Sequence, residues 1–264
     1  MNRVQKIFLD SGTADAGTSK IRPFWRGQLF LFDKQKAPAY SSAQGYRLLA
    51  ILVFLEGIVR PLFKEVAKVW QIAARPWWPL LEMGLLTALA CWLVVNFAKV
   101  RLSELGLYSW SHWSQIEKFY LLQIVPITVV VFSFTAAIEM KTLWAHNSLG
   151  RIVLFVFVPQ VIWGFYQEFL YRGLLQTELV RRWGSVIGIL TSNLIFTFGP
   201  LHAYHFSAAR RDPSHLWIFA GIFSIGLYFA VLYRRSGNLW IVGPLHGLGD
   251  FFIDGLGLAS RMAR

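Results

Sequence analysis

The chain has 264 residues and a formal net charge of +12, yet only 15% of its residues are charged and 55% are hydrophobic, with 12 Trp and 22 Phe. A soluble domain of this length is about a quarter charged. The mean hydropathy of +0.46 and the gathering of apolar residues into long blocks exclude one large soluble core. The Lys and Arg lie in the tail and the connections, as membrane topology requires, so the positive charge is not read as a nucleic-acid surface.

Residues 1–43 lack the continuous apolar segment of a cleavable signal peptide. They form a basic tail with seven Lys and Arg before Tyr46, among them Arg3, Lys20 and Lys36, which favours a cytoplasmic N-terminus. Within it, FWRGQLFLF (Phe24 to Phe32) fits either a segment lying at the headgroups, aromatics inward and Arg26 outward, or a plain ordered tail.

Residues 44–264 are expected to form one all-α, polytopic membrane domain. About seven spans near ~20 residues each are predicted: Tyr46–Phe63, Trp78–Ala98, Phe119–Ile138, Ile152–Tyr171, Val186–Ala203, Leu216–Tyr233 and Leu239–Leu258, with room for an eighth, re-entrant segment. The compact loops point to a bacterial inner membrane. The single Cys91, in the second span, excludes a disulfide or a cysteine-ligated zinc within the chain.

Ionisable residues at bilayer depth are costly unless paired or hydrated, and so mark candidate sites. GFYQEFLYRG, in the fourth span, carries Gln167, Glu168 and Arg172; Glu168 and Arg172 are i and i+4, the spacing of a helical ion pair. FTFGPLH places Phe198 four residues before His202. IVGPLHGLGD places His246 four residues before Asp250, where the carboxylate could hold the imidazole in one tautomer. Glu56 and Arg60 in the first span form a further i, i+4 pair, read as structural.

Both histidines end a Gly-Pro-Leu-His run. Proline within a helix removes one backbone bond and kinks it, so Pro200 is expected to free the Phe196 carbonyl and Pro244 that of Trp240. Two kinked helices, each with a histidine just after the kink, suggest one hydrated pocket. With the turns near Arg181–Gly184 and Arg234–Gly237 on one face, a 1.5 Å rise puts Glu168 at a depth of ~20 Å, His246 at ~16 Å and His202 at ~29 Å, the last too deep for the other two.

These three motifs, in this order, resemble those of the CAAX-protease and bacteriocin-processing family (CPBP, or ABI), relatives of the type II CAAX prenyl endopeptidases. The family pattern is Glu-Glu-x-x-x-Arg, Phe-x-x-x-His and His-x-x-x-Asn or Asp; here it reads Gln167-Glu168-x-x-x-Arg172, Phe198-x-x-x-His202 and His246-x-x-x-Asp250. LSELGLYSW (Leu102 to Trp110) also looks like a stretch of that family, and the resemblance covers about residues 100–258. It implies an intramembrane glutamic endopeptidase without cofactor or metal, cleaving a membrane-anchored peptide or protein. Glu168 and His202 would activate water, while His246 and Asp250 would stabilise the oxyanion; Gln167, Arg172 and Phe198 would shape the site.

Gln167 departs from the pattern, because it stands where the family has the glutamate usually assigned as base, and an amide cannot take a proton. Either Glu168 serves as base after a modest helix rotation, or the chain is an inactive relative that binds without cutting, or an active site has had its glutamate replaced. Other chemistries fit less well. GLGD (Gly247 to Asp250) matches an intramembrane aspartyl-protease signature, but the first six spans contain no Asp to share the proton. Zinc on His202, His246 and Glu168 is a chemically possible set. A transporter would require matching broken helices in the two halves, which the sequence does not show.

Overall fold

The computed structural model describes residues 39–255. The basic tail up to residue 38, with Phe24–Phe32, and the end of the seventh expected span lie outside them.

All regular elements among the described residues are helical. Helix α1 (42–69) opens on a capping box, in which Ser41 and Gln44 satisfy each other's backbone N–H groups, and runs through a π turn at Leu55–Val59. Helix α2 is Trp78–Ala98. Helix α3 (Gln115–Thr135) starts four residues before the expected third span because Ser114 and Glu117 form a second capping box. It stops before Ile138, since Ala136 leaves helical geometry and the chain restarts as α4 (Ala137–His146).

The expected fourth and fifth spans are two limbs of one run, α5 (Leu149–Phe198), broken at Gly184 (φ 78°, ψ 170°). That φ favours glycine, so the sequence can turn here and only a few residue types could replace it. The limbs return close together: a Cβ on Gly188 would lie 2.5 Å from the Val180 nitrogen, and the rings of Tyr171 and Phe196 meet edge to face at 5.2 Å. Short α6 (Ala203–Ala209), α7 (Leu216–Ser236) and α8 (Leu239–Asp250, extended by a π turn at Phe251–Gly255) complete the described fold.

Trp78–Ala98, Gln115–Thr135, Leu149–Phe198 and Leu216–Ser236 are long and apolar enough to cross a membrane, and Leu239–Ile253 is a shorter apolar helix. Large apolar side chains such as Val53, Leu122, Phe134 and Trp217 face outward, while Glu56, Arg60, Glu168, Arg172 and Gln176 are buried. A soluble protein does the reverse; in lipid, the interior is where polar groups find partners. The chain is an all-α polytopic membrane protein.

Two features place α8 against the first limb of α5. Gly164 and Gly247 meet so closely that a Cβ on Gly164 would lie 2.2 Å from the Gly247 nitrogen, and one on Gly247 would lie 2.5 Å from Val161 Cα. With Gly243, this is the small-residue contact by which membrane helices bring their backbones together. The N-terminus of α8 is pinned as well. Leu239 N–H donates to the Gly106 carbonyl (2.9 Å), and Asn238 caps the helix while donating to Glu117 (3.2 Å). Gly106 belongs to the LSELGLYSW stretch, which thereby helps set the height of α8.

Candidate active site

The centre of the site is Glu168, fully buried on the first limb of α5 just before a π-helical stretch, Phe169–Gln176. Such local π geometry is frequent at functional sites. One carboxylate oxygen accepts from Arg172 Nε at 3.1 Å, forming the i, i+4 pair that the spacing allows, with both side chains wholly buried. The other oxygen takes a 2.7 Å hydrogen bond from His246 Nδ1 on α8. Arg172 goes on to donate from Nη2 to the Gly226 carbonyl of α7 (2.9 Å), and its guanidinium lies over the Phe196 ring, 4.7 Å from the centroid. One ion pair thus ties both limbs of α5 to α7 and α8.

His246 is gripped from several sides. Its Nδ1–H donates to Glu168, which sets the orientation of the ring; Phe229 stacks on it at 5.1 Å, and Phe196 meets it edge to face at 5.9 Å. Its other nitrogen, Nε2, lies 3.6 Å from Asp250 Oδ1. Glu168 makes the short bond to His246, across helices, while Asp250, the expected i, i+4 partner, lies within ion-pair range of the far nitrogen. The i, i+4 spacing brings Asp250 near the ring but not into a close hydrogen bond. Asp250 Oδ2 instead accepts from Gln167 Nε2 at 3.2 Å.

His202 arrives by a route different from the expected one. The second limb of α5 ends at Phe198, Gly199 is extended (φ −80°, ψ −170°), and Pro200 leads a turn into α6. Pro200 terminates its helix and does not kink it, a correction to the picture of two kinked helices. The chain then turns back, and His202 Nδ1 lies 2.8 Å from the Phe196 carbonyl. A carbonyl only accepts, so Nδ1 carries the proton and Nε2 keeps a lone pair. The carbonyl expected to be freed by Pro200 has been claimed by the histidine, and this turn removes the straight-helix geometry that made His202 too deep.

The ring of Phe196 is what sequence reading missed. His202 packs edge to face on its ring at 4.9 Å, and His246 and Arg172 pack on the same ring. One phenylalanine in an apolar run gives no signal of this. Phe198, the motif residue, is 47% exposed and packs with Phe219 and Phe206.

The Glu56–Arg60 pair also reaches the site. Glu56 Oε2 and Arg60 Nη2 are 2.9 Å apart and buried. Arg60 Nη2 donates to the Pro200 carbonyl (3.0 Å), and Tyr166 OH, next to Gln167, donates to Glu56 Oε1 (3.1 Å). This pair holds the loop that carries His202 against the helix that carries Glu168. Among the described residues no three His, Cys, Asp or Glu side chains converge as a metal ion would need.

Arg172, Glu168 and His246 thus form one hydrogen-bonded group and Gln167 with Asp250 another, the two meeting at the 3.6 Å His246–Asp250 contact, with His202 beside them on the Phe196 ring. No curated protein and no solved structure matches the chain significantly. Residues 149–252, which contain all three motifs, match the family model described as type II CAAX prenyl endopeptidase Rce1-like. Over those residues, less than half of its length, the chain is similar to that family of CAAX-type membrane proteases, which supports the resemblance carried by the three motifs.

Proposed function

We propose that the chain is an intramembrane endopeptidase that hydrolyses a peptide bond in a membrane-anchored protein or peptide, with Glu168, His202, His246 and Asp250 as the catalytic set and no cofactor. The observation that carries the reading is the 2.7 Å bond from His246 to Glu168, formed between two helices at a fully buried ion pair. A buried charge of this kind is expensive in a membrane and is retained where it serves chemistry.

Amide hydrolysis needs a positioned water, a proton acceptor and donors where negative charge develops. His202, whose Nδ1–H is committed to Phe196, offers Nε2 to hold the attacking water in place through one O–H. Arg172 and Glu168 hold His246 rigidly, so that its ring does not reorganise as charge builds on the substrate carbonyl oxygen. The resemblance and the compact loops favour a bacterial plasma membrane, with the bilayer supplying the substrate. Gln167 supports a second reading, that of a relative which binds its target without cutting, because an amide stands beside Asp250 where a proton acceptor would be useful.

The test is to incubate host membranes with and without the chain in water enriched in oxygen-18 and to read protein ends by mass spectrometry. A hydrolase gives new C-termini that carry one heavy oxygen. Binding of membrane proteins without new ends would establish the second reading, and neither would overturn both.

A further inference from the structure

The site contains two carboxylates, and they are not equivalent. Glu168 has one oxygen on Arg172 and the other on His246, and its side chain is completely buried. Both of its oxygens already accept a bond, and neither is open to solvent or to an entering water. Asp250 is 15% exposed, more open than the His246 ring beside it. Its Oδ2 is oriented by the Gln167 amide at 3.2 Å, and its Oδ1 lies 3.6 Å from His246 Nε2. Gln167 Oε1 is buried and has no partner, an acceptor suited to the O–H of a bound water or the N–H of a substrate.

Resting on the endopeptidase reading, we propose that Asp250 is the proton acceptor of the reaction, and that Gln167 is its orienting partner and not a disabled base. Gln167 and Asp250 form one amide–carboxylate pair across the α5–α8 contact, in which only the carboxylate can take a proton. A water oxygen attacks the scissile carbonyl carbon; the new C–O bond forms as the carbonyl electron pair moves onto its oxygen, and one water proton passes to Asp250. The intermediate then collapses. The C=O bond re-forms, the C–N bond breaks, and the proton on Asp250 goes to the departing amine nitrogen. Water is consumed, a carboxyl and an amine are produced, and Asp250 returns ionised. Glu168 stays ion-paired throughout and holds His246.

This assignment predicts that the carboxylate can change sides. The experiment compares four full-length chains in host membranes: the chain as it stands, Asp250→Asn, Gln167→Glu, and the exchange Gln167→Glu with Asp250→Asn. Cleavage is read as heavy-oxygen C-termini on the membrane proteins of the host, and thermal melting checks that each variant folds. Asp250→Asn is expected to lose about a hundredfold or more, the scale of an acid–base group, and the exchanged pair to recover to within about tenfold of the original. Recovery excludes misfolding as the cause of the loss.

Activity that survives in Asp250→Asn would overturn the proposal and leave the endopeptidase reading intact. Cleavage only in chains carrying Gln167→Glu would do the same, because it would make residue 167 the base position. No cleavage by any of the four folded chains would overturn both.

Discussion

At Gly199–His202 the chain leaves a helix, whereas at Gly243–His246 the same four residues run straight through one. The first run follows a limb that has ended at Phe198, and nothing continues the helix beyond Gly199. The second is clamped between neighbours: Gly243 lies against Phe165, and Gly247 against Val161 and Gly164. Tertiary packing therefore overrides proline's preference in one copy and yields to it in the other. The consequence is chemical. His246 is fixed by a buried ion pair and two aromatic rings, while His202 is fixed by one carbonyl and by a loop that Arg60 holds from outside.

Opening the tight helix contact should break this comparison most severely. Gly247→Val forces α8 away from α5, where a single Cβ already has no room. It should abolish cleavage and lower the melting temperature of the purified protein by well over the change from any other single substitution at the site. Next in size is Arg172→Ala, which leaves Glu168 buried without its cation; breaking one partner of a buried pair costs about 3–5 kcal/mol, measurable as a loss of stability in a reversible membrane-protein unfolding assay. Arg172→Lys should recover only part of this, because one ammonium cannot reach both Glu168 and Gly226 while covering Phe196.

Loosening the other histidine should have a smaller and different effect. Arg60→Ala releases the Pro200 carbonyl and should cut the rate of cleavage by about ten- to a hundredfold through misplacement of His202, with Arg60→Lys closer to the original. The smallest effect is expected from Phe198→Ala. Its half-exposed ring packs on Phe206 and Phe219, so stability should change by less than about 1 kcal/mol and cleavage by about twofold at most. Phe196→Ala, two residues earlier, should cost about 3–5 kcal/mol because three site residues rest on that ring.

The all-helical membrane fold, the turn at Gly184 and the Glu168–Arg172 pair were legible because each depends on local rules: apolar blocks, a glycine just after Arg181 and Arg182, and i, i+4 geometry. The count of seven spans was not: four runs among the described residues are long and apolar enough to cross a membrane, the expected fourth and fifth being one broken run. The bond from His246 to Glu168 was not legible. It depends on how closely Gly164 and Gly247 approach, a property of two distant segments, whereas the nearby i, i+4 Asp250 offered a local partner that packing did not choose. The role of Arg60 was hidden for the same reason, since its spacing to Glu56 explained it completely within one helix. The Phe196 carbonyl was marked by Pro200, but nothing marked its ring.

The most direct measurement compares the chain with His246→Ala in the same host membranes and reads new membrane-protein C-termini by mass spectrometry. The account predicts heavy-oxygen ends with the intact chain and none with His246→Ala, although the variant still inserts into the membrane. Equal cleavage by the two would remove His246 from the chemistry and contradict the site described above.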